Sequence, residues 1–410
     1  MFALDPSTLS GRLSIPPTPR MTPGARESRV SRFIPIYEQS LWTSRQRQAS
    51  SIHEVSYRAC FKPQLPRYFI QRLTAAGDVV YDPFSGRGTT AVEAALCGRR
   101  VVANDVNPLS TIFTRPRLEI PESALVEERL HAWGKAKRRE VDIDLSMFYH
   151  PDTERELLAL REYLLAKERD GTEDAADRWI RMVATNRLTG HSPGFFSVYT
   201  LPPNQATTPE NQVKINHKLK QKPEYRDTRS LILKKSAQLL RRLEAADLAT
   251  LRSAAKTALL LHQPAADTPQ IKSASVQLTV TSPPFLDVVH YARDNWLRCW
   301  FNGLDAETIG AGITMSRTVE EWSMAMGSVF AELHRITRRG GWVAFEVGEV
   351  RRGRVRLEEM VVPLAATAGF ECKAVLINAQ KFTKTANIWG VRNNSQGTNT
   401  NRIVLLRKSK

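Results

Sequence analysis

Cysteine is scarce in this chain of 410 residues, and its four cysteines lie far apart. Cys60, Cys97, Cys299 and Cys372 form no C-x-x-C pair, the spacing typical of zinc sites and redox motifs. No stretch reaches the ~18 consecutive apolar residues of a membrane-spanning helix, and the N-terminus lacks the apolar segment of a signal peptide. We therefore expect reduced thiols, no metal site and a soluble protein located in the cytoplasm.

Acidic residues are too few to balance the basic ones. The chain has 59 Lys and Arg against 42 Asp and Glu, which gives a formal net charge of +17. Lys and Arg side chains bind polyanions by displacing counterions from phosphate groups. An ordinary basic surface would give the same sum, so the composition favours nucleic acid as a partner without assigning a site.

The distribution of helix and strand patterns predicts an α/β chain. Residues 1–45 are rich in proline and basic residues, and we expect a flexible arm there. Residues 46–120 contain a strand, a glycine-rich turn, a short helix and a second strand. Residues 121–270 are largely helical, and strands return in residues 271–410. This order predicts a Rossmann-like doubly wound sheet with a largely helical insertion.

A glycine loop follows the first strand, in the stretch DVVYDPFSGRGTTAVEAA. Gly86 and Gly88 stand where the strand turns into a helix, so a ligand can approach the backbone and the free N–H groups of the helix. Asp105 ends the next strand, at the position where an acid can accept hydrogen bonds from ribose. The third glycine of the dinucleotide motif is missing and Thr89-Thr90 follow Gly88 instead, so we expect a single nucleoside rather than a nicotinamide cofactor.

The stretch DPFSGRGTT resembles the cofactor motif of DNA amino-methyltransferases, the DNA methylase N-4/N-6 family. The resemblance implies S-adenosyl-L-methionine as cofactor, with Asp82 and the loop backbone near its methionine part and Asp105 on its ribose. The upstream stretch YRACFKPQLP is similar to the segment that closes the methionine side in such enzymes, which points to Phe61. The implied cofactor-binding residues are Phe61, Asp82, Phe84, Ser85, Gly86, Gly88, Thr89 and Asp105.

The stretch TSPPF resembles the second motif of the same family. An exocyclic amino nitrogen is a poor nucleophile because its lone pair is delocalised into the base. Acceptors that hold its hydrogens draw that lone pair towards a methyl donor. The Ser282 hydroxyl and the Pro283 carbonyl, held rigid by Pro284, supply two acceptors, and Phe285 is expected to stack on a base flipped out of the duplex. These four are the candidate catalytic residues.

The form of this motif favours one base. Thr-Ser preceded by the apolar Val280 is typical of enzymes that methylate cytosine N4, whereas adenine-N6 enzymes more often have Asp or Asn in place of Ser282. We therefore expect a site-specific cytosine-N4 DNA methyltransferase of a restriction-modification or phage-type system, with adenine N6 as the alternative. A cognate endonuclease would act on the same site without a stable complex. Less favoured are an RNA methyltransferase and a non-catalytic nucleic-acid-binding protein on the same scaffold.

The resemblance also gives the ranges a function. Residues 46–120 become the cofactor-binding half and residues 271–410 the catalytic half, so the insertion at residues 121–270 is left for target recognition. Ten Lys or Arg and three acids lie between Glu210 and Arg242. A solvated helix face is the alternative, but a basic stripe beside an aromatic loop can track double-stranded DNA. Phe195, Phe196 and Tyr199 are the ring side chains expected to stack or wedge there.

Overall fold

The computed structural model describes most of the chain. The described residues are 9–15, 32–39, 49–58, 60–132, 143–201, 206–284, 291–313, 316, 318–350, 355–378 and 401–409. Among them, no helix combines the length and the apolar composition that crossing a membrane requires.

Nine of the described strands form one sheet, in the order β1-β2-β10-β11-β7-β6-β3-β4-β5, and β8 pairs with β9 apart from it. The strands are β1 (Leu9–Ile15), β2 (Arg32–Gln39), β3 (Val79–Asp82), β4 (Arg100–Asn104), β5 (Leu259–Leu261), β6 (Val276–Thr281), β7 (Thr337–Val347), β8 (Glu349–Val350), β9 (Val355–Arg356), β10 (Phe370–Asn378) and β11 (Asn401–Lys408). From β7 to β5 all neighbours pair in parallel, whereas β11 is antiparallel to both β7 and β10.

Helices connect and cover these strands. They are α1 (Gln64–Leu73), α2 (Thr89–Leu96), α3 (Leu109–Leu118), α4 (Ser123–Ala132), α5 (Pro151–Arg169), α6 (Ala175–Arg187), α7 (Pro209–Leu219), α8 (Thr228–Leu240), α9 (Ala245–Ala255), α10 (Tyr291–Phe301), α11 (Ala306–Gly312), α12 (Val319–Ile336) and α13 (Leu357–Thr367). Several begin where the sequence places a capping residue. Asp174 and Asp177 form a capping box at α6, and Thr318 and Glu321 form one at α12.

Both faces of the parallel part are buried. Every residue of β6 is buried, as expected of a parallel strand with a layer on each face. Val80 and Val280 belong to one apolar core, whereas Tyr81 and Phe345 belong to a second one that includes residues of α12 and α13. The strand order and the two cores confirm the predicted Rossmann-like doubly wound sheet.

The strand order reverses between β3 and β6. From β3 the chain continues through β4 to β5 on one side, whereas β6 and β7 extend the sheet on the other. In open α/β sheets, ligands bind beyond the carboxyl ends of the strands at such a reversal. The two motifs identified in the sequence follow these two strands, since β3 ends at Asp82 and β6 at Thr281.

The expectation of a flexible arm over residues 1–45 is wrong for two segments. β1 and β2 form an antiparallel pair, and β2 joins the main sheet in parallel with β10, where Ile36 pairs with Val375. The high proline content of the arm concealed the pattern of RFIPIYEQ, in which Ile34 is buried and Phe33 is 60% exposed. β2 is stabilised because its backbone pairs with the otherwise open edge of β10.

The insertion is mostly helical, as predicted, with α4 to α9 between Ser123 and Ala255. Leu259–Leu261 fall within the largely helical pattern of residues 121–270, yet they form β5 and pair in parallel with β4. Three apolar residues in a row fit either a strand or a buried helix, and the open edge of β4 decides between them. The assignment of residues 121–270 to target recognition stays a prediction.

Candidate functional site

A cavity of about 300 Å³ lies beyond the carboxyl ends of β3, β4, β5 and β6. Its walls come from segments far apart in the sequence, and one wall is the middle of α12. The lining residues are Tyr57, Arg58, Cys60, Phe61, Asp82, Pro83, Phe84, Ser85, Gly86, Thr89, Asp105, Val106, Asn107, Gln263, Pro264, Ala265, Ala266, Ser282, Pro284, Gly312, Ile313, Ala325, Met326, Ser328 and Val329.

Most residues selected from the sequence meet at this cavity. Among the cofactor-binding candidates, all except Gly88 line it. Among the catalytic candidates, Ser282 and Pro284 line it, and Pro283 is buried between them. Phe285 lies outside the described residues. The structure thus brings the two motifs together, while the role of each residue stays a prediction.

The glycine loop needs its glycines for two different reasons. Gly86 and Gly88 both have left-handed backbone conformations, with φ of +52° and +76°. A Cβ on Gly88 would also lie 2.1 Å from the Thr114 hydroxyl oxygen, because the loop approaches α3 closely. Gly88 therefore shapes the loop from behind, although it does not face the cavity.

Two guanidinium groups that do not line the cavity support the same loop. Arg87 donates from Nη1 to the Val55 carbonyl at 2.6 Å. Arg117, which is fully buried, donates to the Arg87 carbonyl and, at 2.8 Å, to the Phe113 carbonyl. Burial lowers the pKa of Arg117 to about 9. Because its guanidinium is bound by carbonyl oxygens of separate segments, the loop is held to α3.

Asp105 holds the loop at the cavity itself. Its carboxylate accepts hydrogen bonds from the Gly86 N–H at 2.8 Å and from the Asn107 N–H at 2.9 Å. Burial raises the pKa of Asp105 to about 6. A carboxylate has about four lone-pair sites, so these two bonds leave acceptor capacity for a ligand hydroxyl.

Asp82 connects the two motifs. Its Oδ1 accepts hydrogen bonds from the Thr281 hydroxyl at 2.6 Å and from the Phe84 N–H at 3.1 Å. Burial raises the pKa of Asp82 to about 7, and the charge of Asp105 acts in the same direction. The carboxyl is therefore fully ionised only above neutral pH, or when a cationic ligand lowers its pKa.

A second bond joins the same two strands. The Thr90 hydroxyl, on the first turn of α2, donates to the Val280 carbonyl at 3.0 Å. Together with the bond from Thr281 to Asp82, it connects segments that lie 190 and 199 residues apart. The motifs are therefore adjacent because β3 and β6 pair and because side chains at their ends are hydrogen-bonded.

Two of the lining residues carry a buried polar atom that is unpaired in the part of the chain that the structure describes. Within the described residues, neither Ser85 Oγ nor Gln263 Oε1 has a hydrogen-bond partner, although both atoms are buried. A buried polar atom left unpaired costs roughly 1–3 kcal/mol. Two carboxyls, a hydroxyl and an amide oxygen fit a ligand with amino and hydroxyl groups and a positive charge. The described residues hold no group of three or more His, Cys, Asp and Glu that could bind a metal ion.

Several lining residues were not predicted from the sequence. Tyr57, Arg58 and Cys60 belong to the YRACF stretch, from which only Phe61 was selected. Gln263 follows β5, a strand that was not predicted within the largely helical range of residues 121–270. The α12 residues have no local motif at all. They reach the cavity because α12 packs against the sheet beside β6.

The aromatic loop of the insertion differs from expectation. Phe195 and Phe196 are 5% and 0% exposed, so the prediction that they stack on bases is wrong for these two residues. The Phe195 ring lies 3.9 Å from the Arg187 guanidinium, and the Phe195 carbonyl accepts a hydrogen bond from Arg226. These two contacts hold Phe195 inside the insertion. Tyr199, by contrast, is 45% exposed.

Comparison with known proteins supports the interpretation of the glycine loop. Residues 30–109 match the family model of DNA methylases. A stretch of 77 residues, 18% of this chain, is 31% identical to the type II methyltransferase M.MjaII of Methanocaldococcus jannaschii. The matched stretch spans 14% of the length of that relative. The predicted resemblance to the DNA methylase N-4/N-6 family is therefore confirmed for the segment that contains the glycine loop.

Solved methyltransferase structures align with more of the chain at low similarity. The rRNA methyltransferase AviRa from Streptomyces viridochromogenes is 13% identical, covering 87% of this chain and 89% of that one, with a TM-score of 0.34. A TehB-like SAM-dependent methyltransferase from Corynebacterium glutamicum ATCC 13032 is 9% identical, covering 84% and 87%, with a TM-score of 0.30. Scores this low do not establish a common fold, so the fold assignment rests on the strand order.

Replacing Gly88 by alanine tests the packing of the loop. We expect Gly88→Ala to lower the free energy of unfolding by about 3 kcal/mol, because it adds a clash with Thr114 to the cost of a left-handed backbone. Gly171→Ala is the matched control: its φ is +65° and a Cβ there would meet no described atom within 4 Å. It should cost about 1 kcal/mol in urea unfolding. Equal losses in the two variants would contradict the close approach of the loop to α3.

Proposed function

We propose that this protein is a DNA methyltransferase that uses S-adenosylmethionine to methylate the N4 amino group of cytosine. The observation that carries the proposal is the hydrogen bond from Thr281 to Asp82. It joins a glycine loop of the DNA methylase type to a Ser-Pro-Pro segment at one cavity. A nucleoside-sized ligand and a flipped base would meet where these two segments meet.

The lining residues fit S-adenosylmethionine. Asp105 would accept hydrogen bonds from the ribose, and the Asp82 carboxylate would face the positive charge of the methionine part. Ser85 Oγ and Gln263 Oε1 would gain the partners that they lack among the described residues. When bound, the cofactor supplies an electrophilic methyl group.

The acceptor segment supports transfer to an amino group. The Ser282 hydroxyl and the Pro283 carbonyl would accept hydrogen bonds from the two N–H bonds of the base. This would weaken the conjugation of the nitrogen lone pair with the ring and let the lone pair attack the methyl carbon. The bond from that carbon to the cofactor sulfur would break, its electron pair would stay on the sulfur, and S-adenosylhomocysteine would be the leaving group. After the transfer the nitrogen carries one proton too many, and that proton is released to solvent. No covalent bond between protein and base is required.

The choice of cytosine rests on Ser282. A serine hydroxyl is a weaker acceptor than the carboxylate or amide oxygen that adenine-N6 enzymes more often have at this position. Adenine N6 is the alternative within the same chemistry. A restriction-modification or phage-type modification system in the cytoplasm is the setting that we propose, with a cognate endonuclease acting separately.

We further propose that α7 and the residues after it contact the DNA phosphates. Lys214 and Lys218 are exposed one helical turn apart, and Lys220 and Lys222 are exposed just beyond the helix. Two cations at this spacing destabilise an isolated helix slightly, so a polyanionic partner explains them better than the stability of the helix does. Tyr199, exposed beside α7, is the ring available to a base.

Bonds between described residues place α7 near the cavity. Arg58, which lines the cavity, pairs with Asp294 of α10 at 2.6 Å. The Asp294 carbonyl accepts a hydrogen bond from the Ala206 N–H at 2.8 Å, and Thr208 caps α7 two residues later. A duplex tracked by these lysines would therefore lie close to the cavity that receives the flipped base.

The direct test is to incubate the protein with duplex DNA and methyl-labelled cofactor and to identify the labelled nucleoside after digestion. We expect N4-methylcytosine. N6-methyladenine would contradict the base assignment and retain the enzyme class. DNA binding without incorporation would contradict catalysis and favour a non-catalytic scaffold.

In the same assay, Ser282→Ala should lower the turnover number roughly 100-fold and change the affinity for cofactor little, because the hydroxyl acts on the amino group. Ser275→Ala is the matched control, since Ser275 lies just before the opposite end of the same strand β6. It should leave turnover unchanged. Equal turnover of Ser282→Ala and wild type would remove Ser282 from the reaction.

Replacing two exposed lysines tests the DNA surface. The double variant Lys214→Gln, Lys218→Gln should weaken duplex binding roughly tenfold. It should also reduce the magnitude of the slope of log K against log salt by about 2, because each phosphate contact adds about 0.9 to that magnitude. Lys272→Gln with Arg339→Gln removes two exposed cations near the amino ends of β6 and β7, and should change neither quantity. The same slope for both pairs would exclude α7 as the phosphate-binding surface.

A further inference from the structure

The proposed acceptor segment is fixed at both of its ends. On the strand side, the Thr281 hydroxyl donates to Asp82 at 2.6 Å. On the far side, the indole Nε1–H of Trp322 donates to the Pro284 carbonyl at 2.9 Å. Ser282 and Pro283, the two residues whose oxygens would hold the amino group, lie between these bonds. The direction of both oxygens therefore depends on two anchors, of which only one belongs to the sheet.

Trp322 is held firmly enough to act as an anchor. It is 1% exposed and belongs to the apolar core on the α12 side of the sheet. It lies in the first turn of α12, immediately after the capping box formed by Thr318 and Glu321. That box determines where the helix begins, and hence where the indole ring lies relative to β6.

The chemistry of the segment explains why a side-chain donor is needed. Two consecutive prolines have no N–H groups, so this stretch cannot continue the hydrogen-bond ladder of β6. The indole N–H of Trp322 supplies a hydrogen bond to the carbonyl of Pro284, the second of these prolines. A phenylalanine would fill most of the same space but would leave the Pro284 carbonyl without this donor.

We propose that Trp322 is a positioning residue that aims the Ser282 hydroxyl and the Pro283 carbonyl at the amino group to be methylated. The inference rests on the proposed function. Trp322 itself touches neither the base nor the cofactor in this account. It acts through the Pro284 carbonyl, at a distance of two residues from the Ser282 acceptor.

The two anchors should affect different steps. Thr281 is bonded to Asp82, which lines the cofactor cavity, so its loss should disturb both cofactor binding and methyl transfer. Trp322 is bonded to the acceptor segment instead, so its loss should slow methyl transfer and leave cofactor binding intact. A residue with a purely structural role would not separate the two quantities in this way.

The test compares Trp322→Phe with Trp179→Phe. Trp179 is also 1% exposed, lies on a helix and donates its indole N–H at 2.9 Å, but to Ser236 within the helical insertion. We expect Trp322→Phe to lower the single-turnover rate of DNA methylation about tenfold, the effect of losing one oriented hydrogen bond. Its dissociation constant for S-adenosylhomocysteine should stay within about twofold of wild type. Trp179→Phe should change neither the rate nor the dissociation constant, although it should shift the melting temperature by about as much as Trp322→Phe does.

The remaining outcomes separate this inference from the function on which it rests. A wild-type protein that transfers no methyl group to DNA would overturn both. An active wild type together with an unchanged rate in Trp322→Phe would overturn the positioning role alone, as would equal losses in the two Phe variants. If Trp322→Phe does not fold, benzothienylalanine incorporated at position 322 keeps the bicyclic shape and lacks the N–H. The same tenfold loss is expected there, and a wild-type rate would overturn the inference.

Discussion

The parallel pairing of β3 with β6 is the constraint on which the candidate site depends. Val80 pairs with Leu278 and Tyr81 with Thr279, so both strands end at the same edge of the sheet. The glycine loop follows one strand and the Ser-Pro-Pro segment follows the other. Because the strand order reverses at this pair, the connections that follow the two strands lead to opposite sides and leave a crevice between them. The distance along the chain between the two motifs is therefore irrelevant to the site, and the helical insertion can occupy the interval.

Electrostatics at this edge favours a ligand over an empty cavity. Burial raises the pKa of Asp82 to about 7 and that of Asp105 to about 6, so in the free protein these carboxyls are partly protonated near neutral pH. A positively charged ligand would favour their ionised forms. Behind the loop, Arg117 is bound by backbone carbonyls, and burial lowers its pKa to about 9. Burying these ionisable groups lowers the stability of the free protein, and binding of a ligand would offset that loss.

Local motifs explain which parts of this site could be predicted from the sequence. The glycine loop and the proline pair are short and chemically distinctive, and residues of both line one cavity. Phe195 and Phe196 were misjudged because composition does not distinguish an exposed ring from a buried one. β2 and β5 were missed because an open sheet edge, and not their own pattern, makes them strands. Trp322 lies 38 residues beyond the proline that it binds, and only the packing of α12 brings the two together.

A double-mutant cycle on Asp82 and Thr281 tests whether the two motifs, brought together by the pairing of β3 with β6, act as a single site through the hydrogen bond between these side chains. The measurement is kcat/KM for DNA methylation in Thr281→Val, Asp82→Ala and the variant that combines them. Residues in contact typically show coupling energies of roughly 0.5–3 kcal/mol. We predict that the combined loss is at least about fivefold smaller than the product of the two single losses, because either change alone already breaks the bond. Losses that multiply to within about twofold would contradict the account.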